Sequence, residues 1–256
     1  MHTTALWWVL LLFFGTGYNM ENTNLLKGGV LLINKPLEWT SFDVVKKTRN
    51  LLRIHLKLKK IKVGHAGTLD PLAVGLLVLC TGKFTKRINE FQSQEKEYTG
   101  TFTLGATTPS YDLETEVDEK FPIAHIKNEY IQATAKKFIG TIDQFPPIFS
   151  ALKKDGERLY EKARRGEEVN LDARQVHIYE FDITRVELPE IDFRVVCSKG
   201  TYIRSLAHDF GKALNSGAHL SALCRTRIGN FHLNQAIDIE TLKEYIETHD
   251  ITTIDV

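Results

Sequence analysis

The chain has 256 residues, 43% hydrophobic and 25% charged, a balance that excludes disordered and collagen-like classes and allows one large domain, with or without an appendage. A formal net charge of +1 excludes a uniformly basic nucleic-acid coat, so any contact with a polyanion has to come from local clustering of charge. Cys80, Cys197 and Cys224 lie far apart in apolar or mixed stretches, the pattern of reduced core thiols in a cytosolic protein; neither a disulfide frame nor a metal site is expected.

In chain order, residues 5–14 form an apolar run shorter than the roughly 20 residues a spanning helix requires, with no Lys or Arg before it. Residues 1–19 are expected to be an extension ahead of a start at Met20. Residues 30–34 predict a short strand, and Ser41 is expected to cap a helix running to about Ile54. Within residues 46–62, "KKTRNLLRIHLKLKKIK", every charged side chain is basic, which suits phosphate contact; a solvated helix face is the usual alternative for such a run.

"VGHAGTLDPLAVGLLVLCTGK", residues 63–83, places Asp70 between a glycine-rich turn and an uncharged strand, at the rim of a core. Helices are predicted near residues 83–91, 128–138 and 156–165. "EYTGTFTLG" alternates with the period of a half-buried strand, Tyr98, Phe102 and Leu104 facing inward. "RQVHIYEFDITRVEL" and "IDFRVVCSKG" predict strands. In "TYIRSLAHDFGKAL", Ile203, Leu206, Phe210 and Leu214 recur at helical spacing, and that helix is expected to end near Gly217. Strands and helices mix without strict alternation, which favours a mixed α+β sheet over a doubly wound one.

Several chemistries fail on this pattern. Six residues separate Gly75 from Gly82, and Phe84 follows Lys83, so no P-loop is formed; there is no GxSxG, and Asp70 has no second acid in its own loop for glycoside hydrolysis. A lone carboxylate remains, suited to nucleophilic or electrostatic work.

Five stretches, "LLINKPLEWTSFDVVKKTR", "KVGHAGTLDPLAVGLLVLCTGKFTK", "KEYTGTFTLGATTPSYDLETE", "QFPPIFSALKKDGERLYEKARRG" and "VVCSKGTYIRSLAHDFGKAL", resemble in content and order the bacterial tRNA pseudouridine(55) synthase family. The resemblance runs from Gly29 to about Phe231. Val74 departs from the family's usual threonine, and the chain stops before the RNA-binding PUA domain that many members carry. The resemblance implies an α+β pseudouridine synthase fold whose mixed, largely antiparallel central sheet is flanked by helices and loops. It divides the chain into the extension 1–19, a catalytic domain 20–236 and an acidic helical tail 237–256.

By the same resemblance Asp70 is the nucleophile, Tyr98 stacks on the flipped base and accepts a proton, and Arg204 is the basic residue paired with the aspartate. Substrate contacts fall to His65, Tyr98, Tyr202 and Leu223, with Lys35 and Pro36 in support. No cofactor is implied. The partner is the T-arm stem-loop of tRNA, with no guide RNA and no membrane, for a cytoplasmic monomer with a possible tRNA-folding chaperone activity. Two other classes stay open: a folding chaperone whose binding matters more than its chemistry, and a guide-dependent synthase for another RNA.

Overall fold

The computed structural model describes residues 25, 27–150, 152–154, 156–167, 169 and 171–248. The expected extension 1–19 lies outside them, as does the end of the expected tail. The described residues form two compact units: those up to Gln94 together with those from Cys224 on make the first, and those from Glu95 to Leu223 make the second.

The first unit opens with β1 (Val30–Lys35), α1 (Ser41–His55), β2 (Val63–His65) and β3 (Ala73–Thr81), followed by a 3-10 turn (Gly82–Arg87) and the short α2 (Ile88–Gln92). β1 and β2 both run antiparallel to β3, with Lys35 opposite Gly75 and His65 opposite Leu79. Both faces of β1 and β3 are covered. Leu31, Ile33, Leu77 and Leu79 pack with Val44, Val45 and Leu52 of α1, while Val30, Leu32, Leu76 and Val78 pack with Phe91 and Ile228. Double coverage explains why these strands read as unbroken apolar runs instead of alternating ones.

The predicted cap of α1 is corrected by one residue. Thr40 is the N-cap, its hydroxyl accepting from the Asp43 amide while the Asp43 carboxylate accepts from the Thr40 amide. This frees the Ser41 hydroxyl for the loop before Asp70. The single helix expected at 83–91 is instead the 3-10 turn followed by α2.

The second unit contains β4 (Lys96–Leu104), a small pair β5 (Ala106–Thr107) and β6 (Glu119–Lys120), α3 (Asn128–Lys137) and β7 (Gly140–Gln144). A second small pair, β8 (Lys153–Lys154) and β9 (Glu157–Arg158), precedes α4 (Leu159–Arg164), so β9 takes the start of the helix expected at 156–165 and α4 the rest of it as far as Arg164. Then follow β10 (Arg174–Glu187), β11 (Glu190–Cys197), α5 (Ile203–Ala213) and β12 (Ala218–Ile228). The strand order is β12-β4-β11-β10-β7. β10 runs antiparallel to β7 and β11, and β11 runs antiparallel to β4. Phe102, Phe181, Phe193 and Phe210 form the aromatic centre, the Phe102 and Phe193 ring centroids 4.1 Å apart.

The second half of β12 re-enters the first unit, where the order is β1-β3-β12. β13 (Phe231–His232) pairs back on β12, and a 3-10 turn (Leu233–Gln235) leads to α6 (Ile239–Thr248). Ile239, Leu242 and Ile246 of α6 are buried among Leu31, Val44 and Leu52. Residues 239–248 are thus core-forming, and the two compact units do not divide at residue 236.

Candidate active site

In the first unit the turn after β2 carries Asp70 on a backbone tied down from three directions. The Ala66 amide donates to the Val78 carbonyl at 2.9 Å, and Gly67 takes φ +123°, a conformation that disfavours any side chain. Leu69 is buried, and its amide and carbonyl both bond the Ser41 hydroxyl at the start of α1, at 2.8 and 3.1 Å. One residue on, the Asp70 carbonyl accepts from the Ala73 amide, closing the turn into β3. Asp70 is half-buried, at the rim of the core as the uncharged run predicted.

Two buried cations complete this region. Lys35, 0% exposed, donates from Nζ to the carbonyls of Trp39 (2.6 Å), Pro36 (2.8 Å) and Pro71 (3.3 Å), the last being the residue after Asp70. Burial pulls the Lys35 ammonium down to about 8, against the raising influence of the Asp70 charge and with a further lowering from Arg225. Arg225, 1% exposed, reaches back from β12 to the carbonyls of Leu76 (2.8 Å), Gly67 (3.1 Å) and Thr68 (3.4 Å). Gly75 makes room for it: a Cβ there would stand 2.5 Å from the Arg225 carbonyl oxygen. Burial and the Arg225 charge hold the His65 imidazole below its ordinary range, so it is neutral at neutral pH.

In the second unit Tyr98 lies opposite Val195 and is buried with Phe102 and Leu104 on one face of β4, as the alternation predicted. Leu223 is half-buried on the neighbouring strand β12. Gly100 permits that neighbour to come close, since a Cβ would run into the Ala222 carbonyl. Tyr202 stands at the N-cap of α5, its amide donating to Gln144 Oε1 (2.8 Å) and its carbonyl accepting from Gln144 Nε2 (3.0 Å). Gln144 is itself buried.

Arg204, in the first turn of α5, is 4% exposed, which rules out a solvated helix arginine. Its Nη1 donates to the carbonyls of Phe149 (2.9 Å) and Ser110 (3.2 Å), and Nε lies 3.6 Å from the buried Asp112 carboxylate. Beside it the Ser205 hydroxyl donates to the Phe145 carbonyl at 2.7 Å.

The first unit therefore gathers Asp70, His65, Lys35 and Pro36; the second holds Tyr98, Tyr202, Arg204 and Leu223, with Tyr202 and Arg204 joined through one helix start. Arg225, Asp112, Gln144 and Ser41 are polar partners that sequence reasoning did not assign to the site. A cleft of about 650 Å³ in the second unit, walled by Phe149, Lys212 and the stacked Tyr111 and His208, contains none of the expected residues. Among the described residues no group of His, Cys, Asp and Glu could hold a metal ion, and no helix is long and apolar enough to cross a membrane.

Comparison with known proteins matches residues 53–203 to the model of the TruB family pseudouridylate synthase N-terminal domain. Residues 204–255 match the tRNA pseudouridylate synthase B C-terminal domain. The chain is 63% identical over 223 residues to the tRNA pseudouridine synthase B of Flavobacterium johnsoniae, covering 87% of this chain and 97% of that protein. It is 54% identical over 232 residues to the protein of the same name from Bacteroides fragilis, covering 91% of this chain and all of that one. Among solved structures, a chain of a Cbf5-Nop10-Gar1 complex is similar with a TM-score of 0.66 at 29% identity, over 91% of this chain and 59% of that chain.

Proposed function

As the chain belongs to the TruB family of pseudouridylate synthases and is a tRNA pseudouridine synthase, we propose that its target is the T-loop uridine at position 55, with Asp70 as the nucleophile. The reaction breaks the N1–C1′ glycosidic bond, turns the base and joins C5 to C1′; the hydrogen at C5 leaves as a proton and N1 gains one, so the base keeps its composition. Asp70 attacks the nucleoside, Tyr98 stacks on the extruded uracil and takes the C5 proton, and Arg204 is the basic residue of the reaction. His65, Tyr202 and Leu223 contact the flipped nucleotide, which has to leave its stack before a carboxylate can reach it.

The observation that carries this reading is the half-buried Asp70 on a loop whose flanking carbonyls and amide are held by Lys35, Ser41 and Arg225. A nucleophile presented on such a fixed backbone loses little freedom on attack. The enzyme works as a cytoplasmic monomer on the T-arm stem-loop, without guide RNA or cofactor, and the same RNA contact supports tRNA-folding chaperone activity.

The test is single-turnover release of tritium from C5 of labelled uridine in a T-arm hairpin, with binding measured separately on the same RNA. Asp70→Asn keeps shape and removes charge; it is expected to bind near normally and release no tritium. A substantial residual rate would remove Asp70 from the role of nucleophile, and joint loss of folding and binding would make it a structural turn residue.

A further inference from the structure

The basic residues of the first unit form a track that starts beside Asp70 and leads away from it. α1 begins at the Asp70 loop, where Ser41 bonds Leu69, and its 15 residues carry the chain about 22 Å away at 1.5 Å per residue. Ser41, Val44, Val45, Thr48 and Leu52 face the core; Phe42, Lys46, Arg49 and Arg53 recur at helical spacing on one flank, with Phe42, Lys46 and Arg53 exposed. Past the helix the exposed Lys57, Lys59, Lys60 and Lys62 continue the line.

At the far end separate segments converge. The Lys62 carbonyl accepts from the Gly82 amide at 2.9 Å, and the Lys27 carbonyl accepts from the Lys83 amide at 3.2 Å, which brings Lys27, Lys62 and Lys83 to one edge with Lys86 nearby. All four are exposed. The β1–β3 pairing gives the same polarity: Lys35, beside the Asp70 loop, stands opposite Gly75, whereas Val30 at the distal end stands opposite Cys80. Glu38 and Asp43 lie at the Asp70 end, Glu90 is paired with Arg87, and the exposed Glu240, Glu244 and Glu247 belong to α6, which packs on the apolar side of α1.

Resting on the proposed T-arm function, we infer that this track binds the phosphate backbone of the double-helical stem behind the target loop, out to the Lys57–Lys62 turn and the Lys27, Lys62 and Lys83 edge. Its length spans several base pairs of an A-form stem, so it passes more than one phosphate on a strand. Cations spread along a line, with no acid interleaved from Lys46 to Lys62, suit a repeating phosphate backbone and read no sequence.

The experiment uses the full chain and hairpins that carry the target uridine on stems lengthened one base pair at a time, with affinity measured across a salt series. Wild-type affinity is expected to climb until the stem reaches the distal lysines, and the salt slope to steepen with it. Replacing Lys57, Lys59, Lys60 and Lys62 together by glutamine should flatten the gain, lowering the slope by about 0.7–0.9 for each phosphate that is no longer neutralised. Lys83→Gln with Lys86→Gln, from another segment, should also trim affinity for the long stems and spare the shortest. A wild-type affinity already saturated on the shortest stem, or variants that follow the wild-type curve, would overturn the track. So would tRNA affinity unmoved by the lysine changes alongside lost binding to anionic phospholipid vesicles. Pseudouridine formation by the wild type on the same hairpins is scored separately; its absence would count against the proposed reaction, whatever the binding curves show.

Discussion

Each unit fixes a segment carrying expected site residues with a buried arginine and a serine near a helix start, yet the arginines differ in what faces them. Arg204 in the second unit has a buried carboxylate, Asp112, at 3.6 Å in addition to its carbonyl partners. Arg225 in the first is held by three carbonyl oxygens. A cation compensated by carbonyl dipoles keeps much of its field, and that field helps depress both Lys35 and His65. Arg204 is tied to Asp112 and to two carbonyls, whereas Arg225 anchors a loop and biases the protonation of its neighbours.

The strongest break of this comparison is Asp112→Leu, which strips a buried guanidinium of that carboxylate and is expected to cost about 4 kcal/mol in urea denaturation. Adding Arg204→Met should recover part of the loss, because the buried charge that lost this carboxylate goes with it. Simple additivity would mean the pair is not coupled.

Next in size is a pH effect on Lys35. Its folded-state value of about 8 lies below the ordinary 10.5, so between those limits the unfolded chain binds more protons and stability rises with pH. Relative to Lys35→Met, wild type should gain about 3 kcal/mol across that window. A flat difference would place an ordinary lysine there.

Arg225→Lys keeps the charge but cannot span three carbonyls, and is expected to cost about 2 kcal/mol. The His65 titration, followed by NMR, should move little in that variant and move upward in Arg225→Met, which separates field from anchoring.

The smallest contrast lies in the serines. Ser41→Ala strands both the amide and the carbonyl of Leu69 and should cost about 1.5 kcal/mol, against about 1 kcal/mol for Ser205→Ala, which frees one carbonyl. Chemical denaturation of the two variants side by side measures the difference.

What the sequence revealed follows the same line between apolar pattern and polar pairing. The alternation of β4 located Tyr98 on its buried face, and the uncharged run after Asp70 located the rim of a core, because burial leaves a periodic mark. β12 went unseen. Its stretch "AHLSALCRTRI" carries charge, and Arg225 sits inside at 1% exposure, against the strong tendency of arginine to stay in water. Asp112 in "TTPSYDLETE" looks like a solvated turn until Arg204 is placed beside it. The Thr40 cap did leave a signal, since its spacing to Asp43 is that of a capping box, but the expectation falls on the adjacent Ser41.

The first unit is assembled from two stretches that flank the second in sequence, and this has a consequence for its birth on the ribosome. All the residues of the second unit have been made before the half of β12 that holds Arg225, and α6 comes later still. Until those last segments emerge, the Asp70 loop lacks its guanidinium anchor, and Leu31, Val44 and Leu52 lack the apolar side of α6. A nascent chain can therefore shape the aromatic centre around Phe102 early, but the Asp70 carboxylate is set in place only after the stretch beyond Cys224 has emerged.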